Sequence, residues 1–197
     1  MQQWSSAGQF IGPPLAAASD ACHTIADAHE AWLNRKAVFE DLLPAGRWGT
    51  ESSVGGLTGP VGFSETNRPV PLVLGDNTPH MLIAGPCGSG KTNLILAWLA
   101  ALCSRYNPDE VELYLLDFKE GVSFASLAAS DRDPTFLPHA RLIGVNINTD
   151  REFGLALLRF LGDELRRRAA AMKRKGATKI QELRRADPHG KWPRIVA

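Results

Sequence analysis

Gly85-Pro86-Cys87-Gly88-Ser89-Gly90-Lys91-Thr92 is an intact G-x-x-x-x-G-K-[ST] run, and its reading decides the fold. The four residues before it, Met81-Leu82-Ile83-Ala84, predict a short apolar strand, and Asn93-Leu94-Ile95-Leu96-Ala97-Trp98-Leu99 predicts the opening of a helix. That strand–loop–helix context separates a phosphate-binding loop from a chance glycine-rich turn. In such a loop successive backbone N–H groups point inward at phosphate oxygens, reinforced by the positive end of the following helix. Gly88 and Gly90 permit positive φ values and close backbone approach. Lys91 is expected to reach the β- and γ-phosphates, and the Thr92 hydroxyl to hold Mg²⁺. Residues 85 to 92 are therefore the candidate nucleotide-binding set, Lys91 and Thr92 the candidate catalytic pair, and ATP with Mg²⁺ the expected cofactors.

Downstream of the loop the pattern alternates. A helix over 92–104 is apolar nearly all round and predicted to be buried. Val111–Leu116 predicts a second strand ending at Asp117, 122–129 a short helix, and 140–145 a third strand. Thr149-Asp150-Arg151-Glu152 has the form of a capping box. It opens a long helix through about Lys175, with Phe153, Leu157, Leu161, Leu165 and Met172 expected along one stripe. Pro193-Arg194-Ile195-Val196-Ala197 looks like the first half of another core strand. Alternating strands and helices imply an α/β fold, a phosphate-loop NTPase with a RecA-like, mostly parallel sheet and helices on both faces.

Upstream, residues 48–78 alternate glycines and β-branched residues with turn signals, predicting a small antiparallel β-element that shelters the nucleotide base or covers a sheet edge. Residues 20–43 read as a helix with Ile25, Ala28, Trp32 and Phe39 on one face. Residues 1–19 show no period and are expected to be poorly ordered. The expected division is a tail and helix over 1–47 and the NTPase domain over 48–197.

Bulk properties narrow the class. A 44% hydrophobic, 22% charged chain of 197 residues is ordinary for a globular protein. Residues 1–90 hold four Lys/Arg against eight Asp/Glu, and residues 91–197 eighteen against thirteen. The half that starts at Lys91 is thus the basic half, which permits nucleic-acid contact without demanding it. Cys22, Cys87 and Cys103 show no metal-type spacing and fit a reducing, cytoplasmic compartment. Cys87 reads best as a small residue at a variable loop position. No stretch approaches the ~18 apolar residues of a membrane span, so this segment is expected to be soluble, with tethering through other segments or subunits left open.

A phosphate-loop ATPase also needs an acid at the end of an apolar strand to hold the Mg²⁺ shell. Asp117, after Leu113-Tyr114-Leu115-Leu116, has that form; the alternative is an acid beyond Ile195-Val196-Ala197.

The run from Thr78 through the loop resembles the FtsK/SpoIIIE DNA-translocase ATPase domain, including relatives in type VII secretion. So do Asn107–Val111, Leu115-Leu116-Asp117-Phe118-Lys119-Glu120-Gly121, Leu137-Pro138-His139-Ala140-Arg141, Thr149-Asp150, and Glu164-Leu165-Arg166-Arg167-Arg168 with Met172 and Gly176. The resemblance covers roughly residues 50–197. It implies that the acidic strand follows Trp192–Val196, that Asp117 sits beside the nucleotide site without being the principal acid, and that the chain lacks the later DNA-contacting regions. It also implies a homo-oligomer, as in a ring, acting on double-stranded DNA with little sequence dependence. Function is then expected to be the ATP-binding part of a DNA-translocating motor, hydrolysing poorly by itself. The alternatives are a nucleotide binder without hydrolysis and a small phosphotransferase using Asp117. Arg166, Arg167, Arg168, Lys173, Arg174, Lys175, Lys179, Arg184 and Arg185 read as a phosphate-backbone track, an interface cluster or a solvated helix face. His80 and His139 are expected to make structural hydrogen bonds, and Trp98 to lie in the core.

Overall fold

Val111–Leu116 (β3) is the apolar run around which the larger of two compact units assembles, and Val111 and Leu113 are fully buried within it. The computed structural model describes residues 15–33, 38–118, 123–144 and 151–197. The units are Met1–Val38 and Phe39–Ala197. The first is described by a single helix, Leu15–Leu33 (α1), which ends well before the predicted Leu43. The second opens with a 3₁₀ turn over Phe39–Leu42 that buries Leu42 and packs on the following strand.

Leu57–Phe63 (β1) and Pro69–Leu74 (β2) form an antiparallel hairpin, as the turn signals predict. Asn67, at φ 58, supplies the left-handed residue in its turn. Gly59 lies where an added Cβ would come within 3.0 Å of the Trp98 ring, so the hairpin rests directly on the next helix. That helix, Lys91–Arg105 (α2), buries one face only: Trp98, Leu99, Ala101 and Leu102 are buried, while Leu94, Ile95 and Leu96 are half-covered. Leu57, Trp98, Leu99, Leu102, Tyr106, Val111, Leu113 and Leu115 make one core, joining hairpin, α2 and β3.

β3 pairs in parallel with Ala140–Gly144 (β4) on one side and Arg194–Val196 (β5) on the other, giving the order β4-β3-β5. The last apolar residues thus enter the sheet beside Val111–Leu113, as their composition predicts. Two helices, Arg151–Lys175 (α3) and Ile180–Ala186 (α4), connect β4 to β5. The architecture is α/β with a parallel three-stranded sheet.

Several expectations need correction. Residues 81–84 form no strand: Leu82 is 92% exposed, Met81 38%, and no ladder holds them. An extended segment becomes a strand only where a neighbour's N–H and C=O groups pair with it, and residues 81–84 make no such pairs among the described residues. The short helix predicted over 122–129 shrinks to a single 3₁₀ turn at Ala125–Leu127. Thr149 and Asp150 of the capping box, Val145, and residues 1–14 lie outside the described residues. On α3, Leu157 is buried and Phe153, Leu161 and Met172 half-covered, but Leu165 is 70% exposed. Steps of four residues advance about 40° beyond a full turn, so the stripe leaves the inward face, where Glu164 and Arg168 replace it.

His139, buried at 6% exposure, points Nε2 at the Tyr106 carbonyl at 2.7 Å. The carbonyl can only accept, so Nε2 carries the proton. Nδ1 is buried without a partner among the described residues. Burial holds the ring below the usual histidine range, Arg141 adds to this, and the Tyr106 bond opposes it. A neutral ring in the folded state and a lowered folded pKa mean that the unfolded chain binds the proton first. Stability is thus complete above about pH 6.5 and is lost as pH falls from there through the folded value. Denaturant midpoints at pH 7.5 and pH 5.5 should fall further for the unaltered chain than for His139→Gln; equal falls would refute this. His80, by contrast, is exposed.

Candidate functional site

Between β2 and α2 the backbone turns back on itself at Pro86–Ser89, where the Ser89 amide donates to the Pro86 carbonyl at 3.3 Å. Gly88 and Gly90 take φ 78 and φ 85, the left-handed values their positions predict. Gly90 is also the N-cap of α2, and the Leu94 amide donates to its carbonyl at 2.9 Å as the first helical bond. No side-chain cap bonds this terminus and no acidic residue occupies the first turn. The amides of that first turn precede any helical carbonyl able to accept from them. Their positive end is therefore open to an anion.

Lys91 arches back over the loop: its Nζ donates to the carbonyls of Gly85 at 2.8 Å and Pro86 at 2.6 Å. The Ser89 Oγ sits 2.7 Å from where a Cβ on residue 85 would lie, so a side chain there would turn the Ser89 hydroxyl aside. Pro86, Cys87, Ser89 and Thr92 are exposed on this turn and first helical position. Residues 85 to 92 are thus brought together in one exposed loop, with the lysine ammonium resting on carbonyl oxygens. Cys87 is a free, exposed thiol; Cys103 is half-covered, and burial pushes its thiol up to about 12.

Asp117 follows β3 directly. Its backbone amide donates to the Gly144 carbonyl at 2.9 Å and its Oδ2 accepts the Ser123 amide at 3.3 Å. It is therefore positioned by the β3–β4 end of the sheet, the C-terminal strand edge where ligands bind in open α/β sheets.

Of the nine downstream basic residues, Arg166, Arg167, Arg168, Lys175 and Arg184 make ion pairs within the chain, while Lys173, Arg174, Lys179 and Arg185 are exposed. Arg166 pairs with Asp163, and Glu164 accepts from Arg167 at 2.6 Å and from Arg168 at 2.6 Å. The Arg167 bonds hold the Glu164 carboxyl below its usual range despite burial. Arg167 also lies 4.5 Å over the Trp192 ring, and Arg168 donates to the Pro193 carbonyl at 2.7 Å. These contacts fasten α3 to the residues preceding β5.

A second polar cluster, which sequence reasoning missed, fixes the start of β5. Glu110 accepts from the Ser53 amide at 2.7 Å, the Ser53 hydroxyl at 2.6 Å and Arg184 at 2.8 Å. Burial pushes the Glu110 carboxyl up, but Ser53 and Arg184 together hold it below the usual range. Arg194 donates to the Ser53 carbonyl at 2.5 Å, the Val54 carbonyl at 3.0 Å and Asp76 at 3.0 Å. Partners 57 to 141 residues apart leave no periodic signal in the chain. Replacing Glu110 with alanine strands Arg184 beside the buried Ser53 and is expected to cost about 2 kcal/mol. Chemical denaturation measures this, and a change within experimental error would remove the cluster from any role in stability.

The model of the FtsK/SpoIIIE family matches residues 45–194. The chain is 30% identical over 124 residues to the ESX secretion system protein YukB of Bacillus subtilis, covering 62% of this chain and 8% of that protein. It is 30% identical over 98 residues to the ESX-1 secretion system protein EccCa1 of Mycobacterium tuberculosis, covering 50% of this chain and 12% of that protein. This chain thus spans only about a tenth of the length of these curated relatives. Among solved structures, the pCW3 conjugation coupling protein TcpA, in its monomer form with ATPγS, superposes with a TM-score of 0.50 at 22% identity. That match covers 79% of this chain and 39% of TcpA, and it supports the α/β fold. No helix among the described residues is long and apolar enough to cross a membrane.

Proposed function

This chain belongs to the FtsK/SpoIIIE family, and on that premise we propose that residues 48–197 bind MgATP through the loop from Gly85 to Thr92, as the nucleotide-binding part of an oligomeric, ATP-driven translocation motor. The N-terminus of α2 carries this assignment: left-handed Gly88 and Gly90, no capping side chain, and a lysine poised over the same turn. Those features leave oriented N–H dipoles at the helix terminus with a lysine ammonium on the same turn.

The residues fit the group. Lys91 would exchange its two carbonyl partners for β- and γ-phosphate oxygens, which bear full charge and make stronger bonds. The Thr92 hydroxyl would hold Mg²⁺, with Asp117 the further candidate for its shell. Bound MgATP supplies the phosphoryl bond whose hydrolysis drives the motor; this chain's groups bind and orient it. Isothermal titration of the intact chain with ATP should give saturable binding at one site, weakened when Mg²⁺ is chelated. Heat changes no larger than those of dilution would overturn the proposal.

For the cargo, the resemblance points to double-stranded DNA. The secretion-system relatives support a second choice, a translocated polypeptide. A DNA-binding isotherm measured at several salt concentrations separates the two. A DNA motor releases counterions and shows a steep negative slope of log affinity on log salt; no measurable DNA affinity at low salt removes the first choice.

A further inference from the structure

The β1–β2 hairpin lies along α2, and hydrogen bonds fix which of its ends meets which end of the helix. The Thr58 amide donates to the Tyr106 hydroxyl at 3.0 Å, just past the end of α2. The Gly49 and Glu51 amides donate to the carbonyls of Ser104 and Arg105, on the last turn of α2. Ser53 is bonded to Glu110, directly before β3, and to Arg194, the first residue of β5. β1 therefore starts at the C-terminal end of α2, level with the beginnings of β3 and β5. Gly59 then faces Trp98 and Leu102, so the strand runs back along the helix. With 15 residues α2 is about 22 Å long, and with 7 residues β1 is about 20 Å long. Level at one end, they are level at the other. The hairpin turn thus stands beside the first turn of α2 and the loop Gly85–Thr92, at the strand ends where open α/β sheets bind ligands.

That turn, Ser64–Arg68, is closed by its own bonds. The Ser64 amide donates to the Arg68 carbonyl at 2.8 Å, the Asn67 amide to the Ser64 carbonyl at 2.9 Å, and the Arg68 amide to the Ser64 hydroxyl at 3.2 Å. On β2, Leu74 and Leu72 pack against the core that includes Trp98 and Leu102. Alternate residues of a strand share a face, so Val70 and then Arg68 continue the α2 side beyond the core. Exposure follows: Leu72 and Leu74 are half-covered, Val70 is 42% exposed, and Arg68 is exposed without an ion pair among the described residues. A guanidinium is a planar fork of donors that matches phosphate oxygens.

We propose that Arg68 is a further nucleotide-binding residue of the Gly85–Thr92 site, donating from the hairpin turn to a phosphate oxygen of bound MgATP. The proposal rests on nucleotide binding by that loop. It gives the hairpin a second task besides covering α2, as one wall of the site. A turn already closed by its own bonds has little freedom left to lose when its side chain engages a ligand.

Isothermal titration of the intact chain with MgATP tests it. Arg68→Ala should weaken binding about 10-fold, the loss expected for one hydrogen bond to a charged group, with the unfolding midpoint unchanged. Arg68→Lys keeps the charge without the fork and should fall between the two. Arg47 is exposed at the opposite end of α2, two residues before Gly49, and Arg47→Ala should bind like the unaltered chain. Proximity is read separately with Mn²⁺ in place of Mg²⁺. In spectra of the ¹⁵N-arginine-labelled chain, bound Mn²⁺ and ATP should broaden the Arg68 Nε–H signal and spare that of Arg47. Unchanged affinity in Arg68→Ala, an equal loss in Arg47→Ala, or an Arg68 signal as sharp as that of Arg47 would each overturn the proposal. If Lys91→Ala still weakens binding in those cases, the loop stands as the nucleotide site and Arg68 alone is excluded. No ATP binding by the unaltered chain would overturn both.

Discussion

Replacing Lys91 with alanine is expected to weaken ATP binding by about 10- to 100-fold while leaving the unfolding midpoint unchanged. Hydrogen bonds to charged groups are worth about 1.5–3 kcal/mol, and about 1.4 kcal/mol corresponds to a factor of ten in affinity. Among the described residues the Lys91 ammonium bonds only to the carbonyls of Gly85 and Pro86. Both belong to an exposed turn, so water replaces the ammonium there at little cost when the side chain is removed. The loss should therefore appear in ligand affinity and not in fold stability. Lys91→Arg should also bind poorly, because a planar guanidinium cannot replace a compact ammonium under a narrow loop. Calorimetric titration with ATP, paired with chemical denaturation, reads both quantities. Unchanged affinity in Lys91→Ala would remove the loop as the nucleotide site.

The largest stability effect is expected at Leu113. Its side chain is fully buried on the central strand, beneath α2 and the hairpin, in the core shared with Leu57, Trp98 and Leu102. Leu113→Ala should cost about 3–5 kcal/mol, because neighbours held by β4 and β5 on both sides cannot collapse into the space. Domains of this size are stable by about 5–15 kcal/mol, so a large share of the total would be lost. Leu165→Ala offers the contrast. Leu165 stands on a helix face with 70% of its surface exposed, and its truncation should change stability by less than about 0.5 kcal/mol. Equal costs at the two positions would mean that α3 sits differently on the sheet from its placement here.

Some features were legible because they depend on residues close in sequence. The turn at Gly88 and Gly90 needs left-handed torsions that glycine adopts without strain, and it formed at those two positions. The apolar Ile195-Val196 pair implied a core strand, and β5 pairs with Val111–Leu113. Trp98 was expected in the core and is 5% exposed there. The pairing of Arg166, Arg167 and Arg168 with Asp163 and Glu164, three and four residues away, fits the solvated-face reading of that cluster. Other features were not legible. The pairing of Arg184 with Glu110 and of Arg194 with the Ser53 carbonyl left no local signal, since these acceptors lie 74 and 141 residues away.

By itself, then, the amino-acid order determined the left-handed glycine turn before α2, the strands β3, β4 and β5 and the family, because torsional preference and apolar period act over a few neighbouring residues. Only the tertiary structure decided which apolar segments acquire neighbours and which charges are neutralised. Met81–Ala84 is as apolar as a strand yet lies unpaired, while the shorter Arg194–Val196 joins the sheet. The difference is physical: a ladder or an ion pair exists only when distant groups are brought within hydrogen-bond reach, and no local pattern encodes that distance.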